Sequence, residues 1–229
     1  MTTAMKLLFL ICSLPFLVIY ISRRIEKQRK IALKEIGGKA AIYGSAAHSL
    51  QTEKMQIRKS NRDKGLIGEF GVARDLEYLA NEYGLTVLHD LSMPGTRANI
   101  DHILITPKVL FVIDAKNYTG KVTIATGKDG IKRLRVGGKN QTPLAEKLRT
   151  YSDKVADFLT SEGIGIKVVP LLAFYQAQFH EESKLTINGV TVNIFGIENE
   201  ILRYATAKNP SINIEEVAIK ILENFPPKI

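Results

Sequence analysis

Cysteine and tryptophan are nearly missing from this chain, which has one Cys, Cys12, and no Trp in 229 residues. A single thiol excludes an intramolecular disulfide and any cysteine-built metal cluster, and it suits a reducing compartment. His48, His89 and His180 lie far apart with no ligand spacing, so no zinc site is expected. Internal repeats and low-complexity tracts are also missing. What remains is room for one ordinary domain plus appendages.

Basic charge is present in excess but unevenly. The formal net charge is +9, yet residues 23–64 hold 12 Lys/Arg against 4 Asp/Glu, and the rest of the chain holds 20 basic and 19 acidic side chains. The surplus therefore belongs to one segment. Just before it, residues 7–21 (LLFLICSLPFLVIYI) carry no charge and are interrupted only by Ser13 and Pro15. The run is short for a spanning helix, which needs about 17–25 residues; Ala4 and Met5 extend it and Lys6 can snorkel. A cleaved signal peptide is the competing reading, but no small-x-small site precedes Arg23. Ile11 before Cys12 argues against a lipoprotein signal. Arg23, Arg24, Lys27, Arg29, Lys30 and Lys34 follow the run, against Lys6 alone before it, which predicts a single-pass anchor in the cell membrane with the C-terminal bulk in the cytoplasm. The basic segment would then meet anionic lipid headgroups first, nucleic acid second.

Residues 1–22 are thus expected to be a transmembrane anchor and 23–62 a basic, helical but glycine-broken juxtamembrane stalk or linker. The compact domain is expected to start near residue 63. Leu66, Phe70, Ala73, Leu76, Leu79 and Ala80 recur at helical spacing and Gly84 offers a stop. Strands are predicted at 86–89, 121–125, 131–136, 166–174 and 190–195. Helices are predicted from Pro143 to about Leu159, near 198–204 and over 214–224. Helix, strands, helix, strand implies an α/β domain with a mixed central sheet flanked by helices.

The densest chemistry lies between Asn99 and Tyr118 (NIDHILITPKVLFVIDAKNY), where two apolar runs meet at Pro107-Lys108. Each run carries charge that a buried strand should lack, and such charges persist when paired, metal-bound or catalytic. Strand alternation puts Asp101 on one face with Asn99 and Ile103, and Asp114 with Lys116, leaving Ala115 opposite. In an antiparallel hairpin the Asp101 end and the Asp114–Lys116 end share one edge. Two carboxylates with backbone carbonyls and waters form a site suited to Mg²⁺ or Mn²⁺. Such an ion lowers the pKa of bound water and neutralises charge on a phosphate. Lys116 could position the water or stabilise that charge. His102 has opposite parity to Asp101 and reads as a hydrogen-bonded structural histidine. Lys128, Lys132, Arg133, Arg135 and Lys139 form either a phosphate-contacting ridge or a solvated face. Acid/base carboxylates acting on a glycan are the outlying alternative, disfavoured by Lys116 and by the lack of an aromatic-rich groove motif.

Three blocks in order resemble the PD-(D/E)xK nuclease superfamily and, more narrowly, the nuclease-related domain called NERD: Gly65-Leu66-Ile67-Gly68-Glu69 opening a helix, Asn99-Ile100-Asp101-His102, and Asp114-Ala115-Lys116-Asn117-Tyr118 with Gly120. The resemblance covers roughly residues 64–174. It implies a restriction-endonuclease-like core over about 63–180, completed by the strand and helices of 181–229, and hydrolysis of DNA phosphodiester bonds. By the family's motif Asp101, Asp114 and the Ala115 carbonyl would hold the metal, Lys116 would be the catalytic lysine, and Glu69 would complete the site directly or through water. Double-strand cleavage with one site per chain would favour a homodimer. Two positions depart from the pattern. Asp114 stands where many relatives have Glu, and Thr142-Pro143-Leu144-Ala145-Glu146 stands for an N-P-L-x-Q-like block. These departures keep open a catalytically weak module that binds nucleic acid or a protein partner at the membrane.

Overall fold

The computed structural model describes residues 41–45, 59–178, 185–193, 197–205 and 212–228. The expected anchor at 7–21 lies outside these residues, as do His48 and His180. Among the described residues no helix is long and apolar enough to cross a membrane.

The centre is a seven-stranded mixed sheet in the order β1-β2-β3-β4-β8-β11-β10. Its strands are β1 (Ala41–Tyr43), β2 (Thr86–Ser92), β3 (Asn99–Ile105), β4 (Val109–Lys116), β8 (Lys167–Phe174), β10 (Leu185–Ile187) and β11 (Val190–Asn193). The β2-β3-β4 meander is antiparallel, whereas β4, β8 and β11 run parallel. Helices α1 (Lys59–Tyr83), α2 (Thr142–Ser161), α3 (Ile197–Ala205) and α4 (Ile214–Asn224) flank it. A smaller sheet, β7-β6-β5-β9, is built from β5 (Gly120–Thr126), β6 (Lys132–Val136), β7 (Lys139–Asn140) and β9 (Ala177–Gln178).

Strand alternation creates two cores. Phe111 and Ile113 of β4 pack with Leu85, Val87 and Leu104 under Leu76 and Leu79 of α1 and Ile201 of α3. Leu110 and Val112 face the other way, beneath Leu148, Val155 and Leu159 of α2, Ile221 of α4, and Val122, Leu134 and Val136 of the small sheet. Central strands buried on both faces read as continuous apolar runs, which is why the charges in β3 and β4 stand out.

Three expectations are corrected. Residues 41–43 are not a piece of helical stalk: Ala41, Ile42 and Tyr43 pair in parallel with Thr86, Val87 and Leu88, so β1 extends the main sheet at its edge. Helix α1 starts at Lys59, inside the expected stalk. The buried stripe of α1 holds at Ala73, Leu76, Leu79 and Ala80 but not at its start, where Glu69 and Val72 are buried and Phe70 is 44% exposed. The reason is close packing through glycine. A Cβ on Gly68 would lie 2.9 Å from the Asn117 amide nitrogen, and one on Gly71 would lie 2.1 Å from the Tyr175 ring. The helix therefore settles on its glycine side against the ends of β4 and β8, and the neighbouring Glu69 goes in with it. Gly84, at φ 62°, ends the helix in the left-handed conformation.

Candidate active site

The β3–β4 ladder stops at the pair His102↔Ile113. Beyond it the Asp101 side chain takes over, because its Oδ2 accepts a hydrogen bond from the Ala115 amide at 2.9 Å. A carboxylate thus replaces a backbone acceptor and holds the two strand ends together. Lys116 closes the group. Its Nζ lies 2.8 Å from Asp114 Oδ2 and 3.5 Å from Asp101 Oδ2, and it donates to the Ala115 carbonyl at 3.0 Å. Three hard oxygens on two strands therefore converge on one cation, here the lysine's own ammonium.

Glu69 enters from α1 and is 7% exposed, and its Oε2 is buried with no hydrogen-bond partner. Burial pushes its carboxyl from 4.5 up to about 9, helped by the negative charge of Asp101 and opposed by Lys116. Asp101 is raised to about 6 by burial, against the pull of Lys116. Burial works against the Lys116 charge, but Asp114 and Asp101 outweigh it and hold the ammonium well above its ordinary value. Lys116 is consequently a hydrogen-bond donor and a positive charge, not a base, at neutral pH.

Asp90 was missed by sequence reasoning, which ended β2 at His89. It is 1% exposed, has φ 50°, and faces the gap where Asp101 leaves the ladder. Asn99 Nδ2 donates to Asp90 Oδ1 at 2.7 Å, and the Lys228 amide donates to the Asp90 carbonyl at 2.9 Å. Its charge adds to the upward pressure on Glu69 and Asp101. The available signal was an acid inside the apolar run TVLHDLSM. His102 lies on the face opposite Asp101 as parity requires, with its Nδ1 2.8 Å from Nδ1 of His89. Burial lowers both rings, His89 to about 4, so the contact joins two neutral imidazoles sharing one N–H. Glu146 stands exposed on α2.

The donor set can be tested for a divalent ion from these contacts. Asp101, Asp114 and the Ala115 carbonyl are all oxygen, and they already gather around a positive charge. The orphaned oxygen of Glu69 offers a further acceptor. This chemistry fits Mg²⁺ or Mn²⁺, although among the described residues no three His, Cys, Asp or Glu side chains form a metal-holding group by themselves. The fit requires the backbone carbonyl.

A mixed α/β sheet whose central hairpin ends in an Asp/Asp/Lys cluster, with a helix carboxylate beside it, defines a nuclease-like domain. Residues 64–175 match the family model NERD, nuclease-related domain, a match consistent with a NERD protein of the PD-(D/E)xK nuclease superfamily. Neither a curated protein nor a solved structure matches the chain.

Proposed function

We propose that the domain is a divalent-metal-dependent nuclease that hydrolyses phosphodiester bonds in DNA, with a restriction-endonuclease-like core held at the cytoplasmic face of the cell membrane by residues 1–22. The observation that carries this reading is the convergence of Asp101 Oδ2, Asp114 Oδ2 and the Ala115 carbonyl within 3.5 Å of one cationic nitrogen. Asp101, Asp114 and the Ala115 carbonyl would hold Mg²⁺ or Mn²⁺, with Glu69 directly or through water. When bound, the ion would supply a lowered water pKa and a counter-charge for the phosphate.

The chain's own residues do the rest. Asp101 is fixed by the Ala115 amide, which donates to the same Oδ2 that faces Lys116. Lys116 stays protonated, so it hydrogen-bonds the attacking water or the phosphate oxygens and offers charge where negative charge develops. Burial of Glu69 and Asp101 removes competing bulk water. The Lys116 ammonium faces the same oxygens that would hold a divalent ion, so with those oxygens taken it would be free to hydrogen-bond substrate.

Incubating the full chain with DNA and Mg²⁺ tests the reading. Cleavage that needs the ion and is abolished by Asp114→Ala or Lys116→Ala, with the circular dichroism melt retained, is expected. No ion-dependent cleavage of any DNA or RNA form would overturn it.

A second reading is favoured by the same ammonium, which neutralises the oxygens without an ion. It makes the domain a catalytically weak module that binds nucleic acid or a protein partner at the membrane. Salt-sensitive DNA binding that is unchanged in Asp114→Ala, with no cleavage by the unaltered chain, is its expected signature. No nucleic-acid binding at low salt would count against its nucleic-acid form.

A further inference from the structure

Charge is segregated within the domain. Residues 120–140 carry six Lys/Arg and one Asp, whereas the other residues from 65 to 229 carry 13 basic and 18 acidic side chains. The basic stretch is β5, β6 and β7 with their turns. Val122, Leu134 and Val136 turn into the core, so alternation leaves Lys121, Thr123 and Ala125 of β5 and Arg133 and Arg135 of β6 on the outward face. Thr123 lies opposite Arg135, Ala125 lies opposite Arg133, and Asn140 of β7 flanks Arg135. Asp129 pairs with Arg133 and steadies its guanidinium, and Arg135 Nη1 donates to the Gly138 carbonyl at 3.2 Å.

The side chains between the cations are small, so a broad ligand can approach. No aromatic ring stands on this strand face. Tyr118, just before β5, packs on Phe174 instead, with ring centroids 5.9 Å apart. Base stacking, the usual basis of single-strand binding, has no platform here. The sugar–phosphate backbone is what ordered cations without rings can match.

The face is also tied to the cluster. Tyr175 N donates to the Lys116 carbonyl at 2.9 Å, and β5 pairs with β9 directly after β8. Lys121 is five positions after Lys116, at most about 18 Å of extended chain. We propose that the outward face of β5 and β6 is a docking surface for the backbone of duplex DNA, used without regard to sequence, that carries the duplex past Asp101, Asp114 and Lys116. It rests on the nuclease reading of that cluster.

The test is fluorescence anisotropy of the full chain in nonionic detergent with two unrelated labelled duplexes, in EDTA so that binding is separated from cleavage, across a salt series. The variants are Lys121→Gln/Arg133→Gln/Arg135→Gln and the single Ala125→Glu, with Lys108→Gln/Lys154→Gln/Lys167→Gln as the charge-matched control. Each phosphate that is no longer neutralised should reduce the slope of log K against log salt by about 0.9, so the triple variant should lose about 2–3 in slope and tenfold or more in affinity at low salt. Both duplexes should suffer equally, Ala125→Glu should weaken binding in the same direction, and the control should match the unaltered chain. The basic segment at 23–64 contributes equally to all and cancels.

A folded triple variant with the original slope, an equal loss in the control, or no binding by the unaltered chain at low salt overturns the docking surface. Cleavage with Mg²⁺ is scored separately. Binding of the expected pattern without any cleavage removes the nuclease reading and leaves the surface. Cleavage with a triple variant that binds as before removes the surface alone.

Discussion

Replacing Glu69 by Gln should stabilise the metal-free protein, increasingly so as pH rises. Glu69 sits on the inward stripe of α1 with one oxygen unpartnered, and its carboxyl is pushed from 4.5 to about 9, first by burial and then by Asp101. The unfolded chain releases this proton near 4.5, while the folded chain keeps it to about 9. Between those values the folded state binds more protons, so its stability is full below 4.5 and is lost as pH rises toward 9. At about 1.36 kcal/mol per pH unit, the loss between pH 5 and pH 8 reaches at most about 4 kcal/mol. Gln keeps the shape and cannot ionise, so the variant escapes the loss. Asp101, raised to about 6, remains in both proteins and largely cancels in the difference. Urea unfolding of the two proteins at several pH values in EDTA reads it directly. The curves should coincide near pH 5 and separate steadily above it, and excess Mg²⁺ should narrow the gap by favouring the carboxylate. Parallel curves over the whole range would refute the placement of a buried carboxyl at this cluster.

Lys116→Met should lose cleavage yet bind Mn²⁺ at least as tightly as the unaltered chain, because the ammonium and the ion share the oxygens of Asp101, Asp114 and Ala115; calorimetric titration measures this, and loss of ion binding would refute the competition. Gly71→Ala should lower the melting temperature, since the new Cβ would meet the Tyr175 ring at 2.1 Å, costing about 1–3 kcal/mol against a gain of up to about 1 kcal/mol from helix propensity. A rise in melting temperature would show that α1 does not rest on β4 and β8 through its glycines.

Much of the site was legible along the chain because strand parity is a local rule. Apolar runs around Asp101 and Asp114 marked β3 and β4, and alternation alone put Lys116 beside Asp114 and His102 across from Asp101. The helix over 214–224 was legible because helical periodicity is equally local, while its cap, Asn213 accepting from the Glu215 and Glu216 amides, came from the structure. Other features depended on partners distant in sequence. Strand β1 has three residues and is defined only by pairing with β2. Asp90 looks like the start of a loop until Asn99 and the tail at Lys228 close around it. Phe70 is the apolar candidate at its turn of the helix, yet Glu69 is the residue buried there, beside the glycine contacts with Asn117 and Tyr175.

By itself the sequence determined the mixed α/β class, the hairpin, and which residue types could bind a cation, because periodicity and side-chain chemistry are properties of short stretches. The tertiary structure decided that Asp101, not a backbone carbonyl, meets the Ala115 amide, that Lys116 bridges both carboxylates, and that Glu69 is buried without a partner. Those outcomes depend on how closely α1 and the strand ends approach, and only packing across the whole sheet sets that distance.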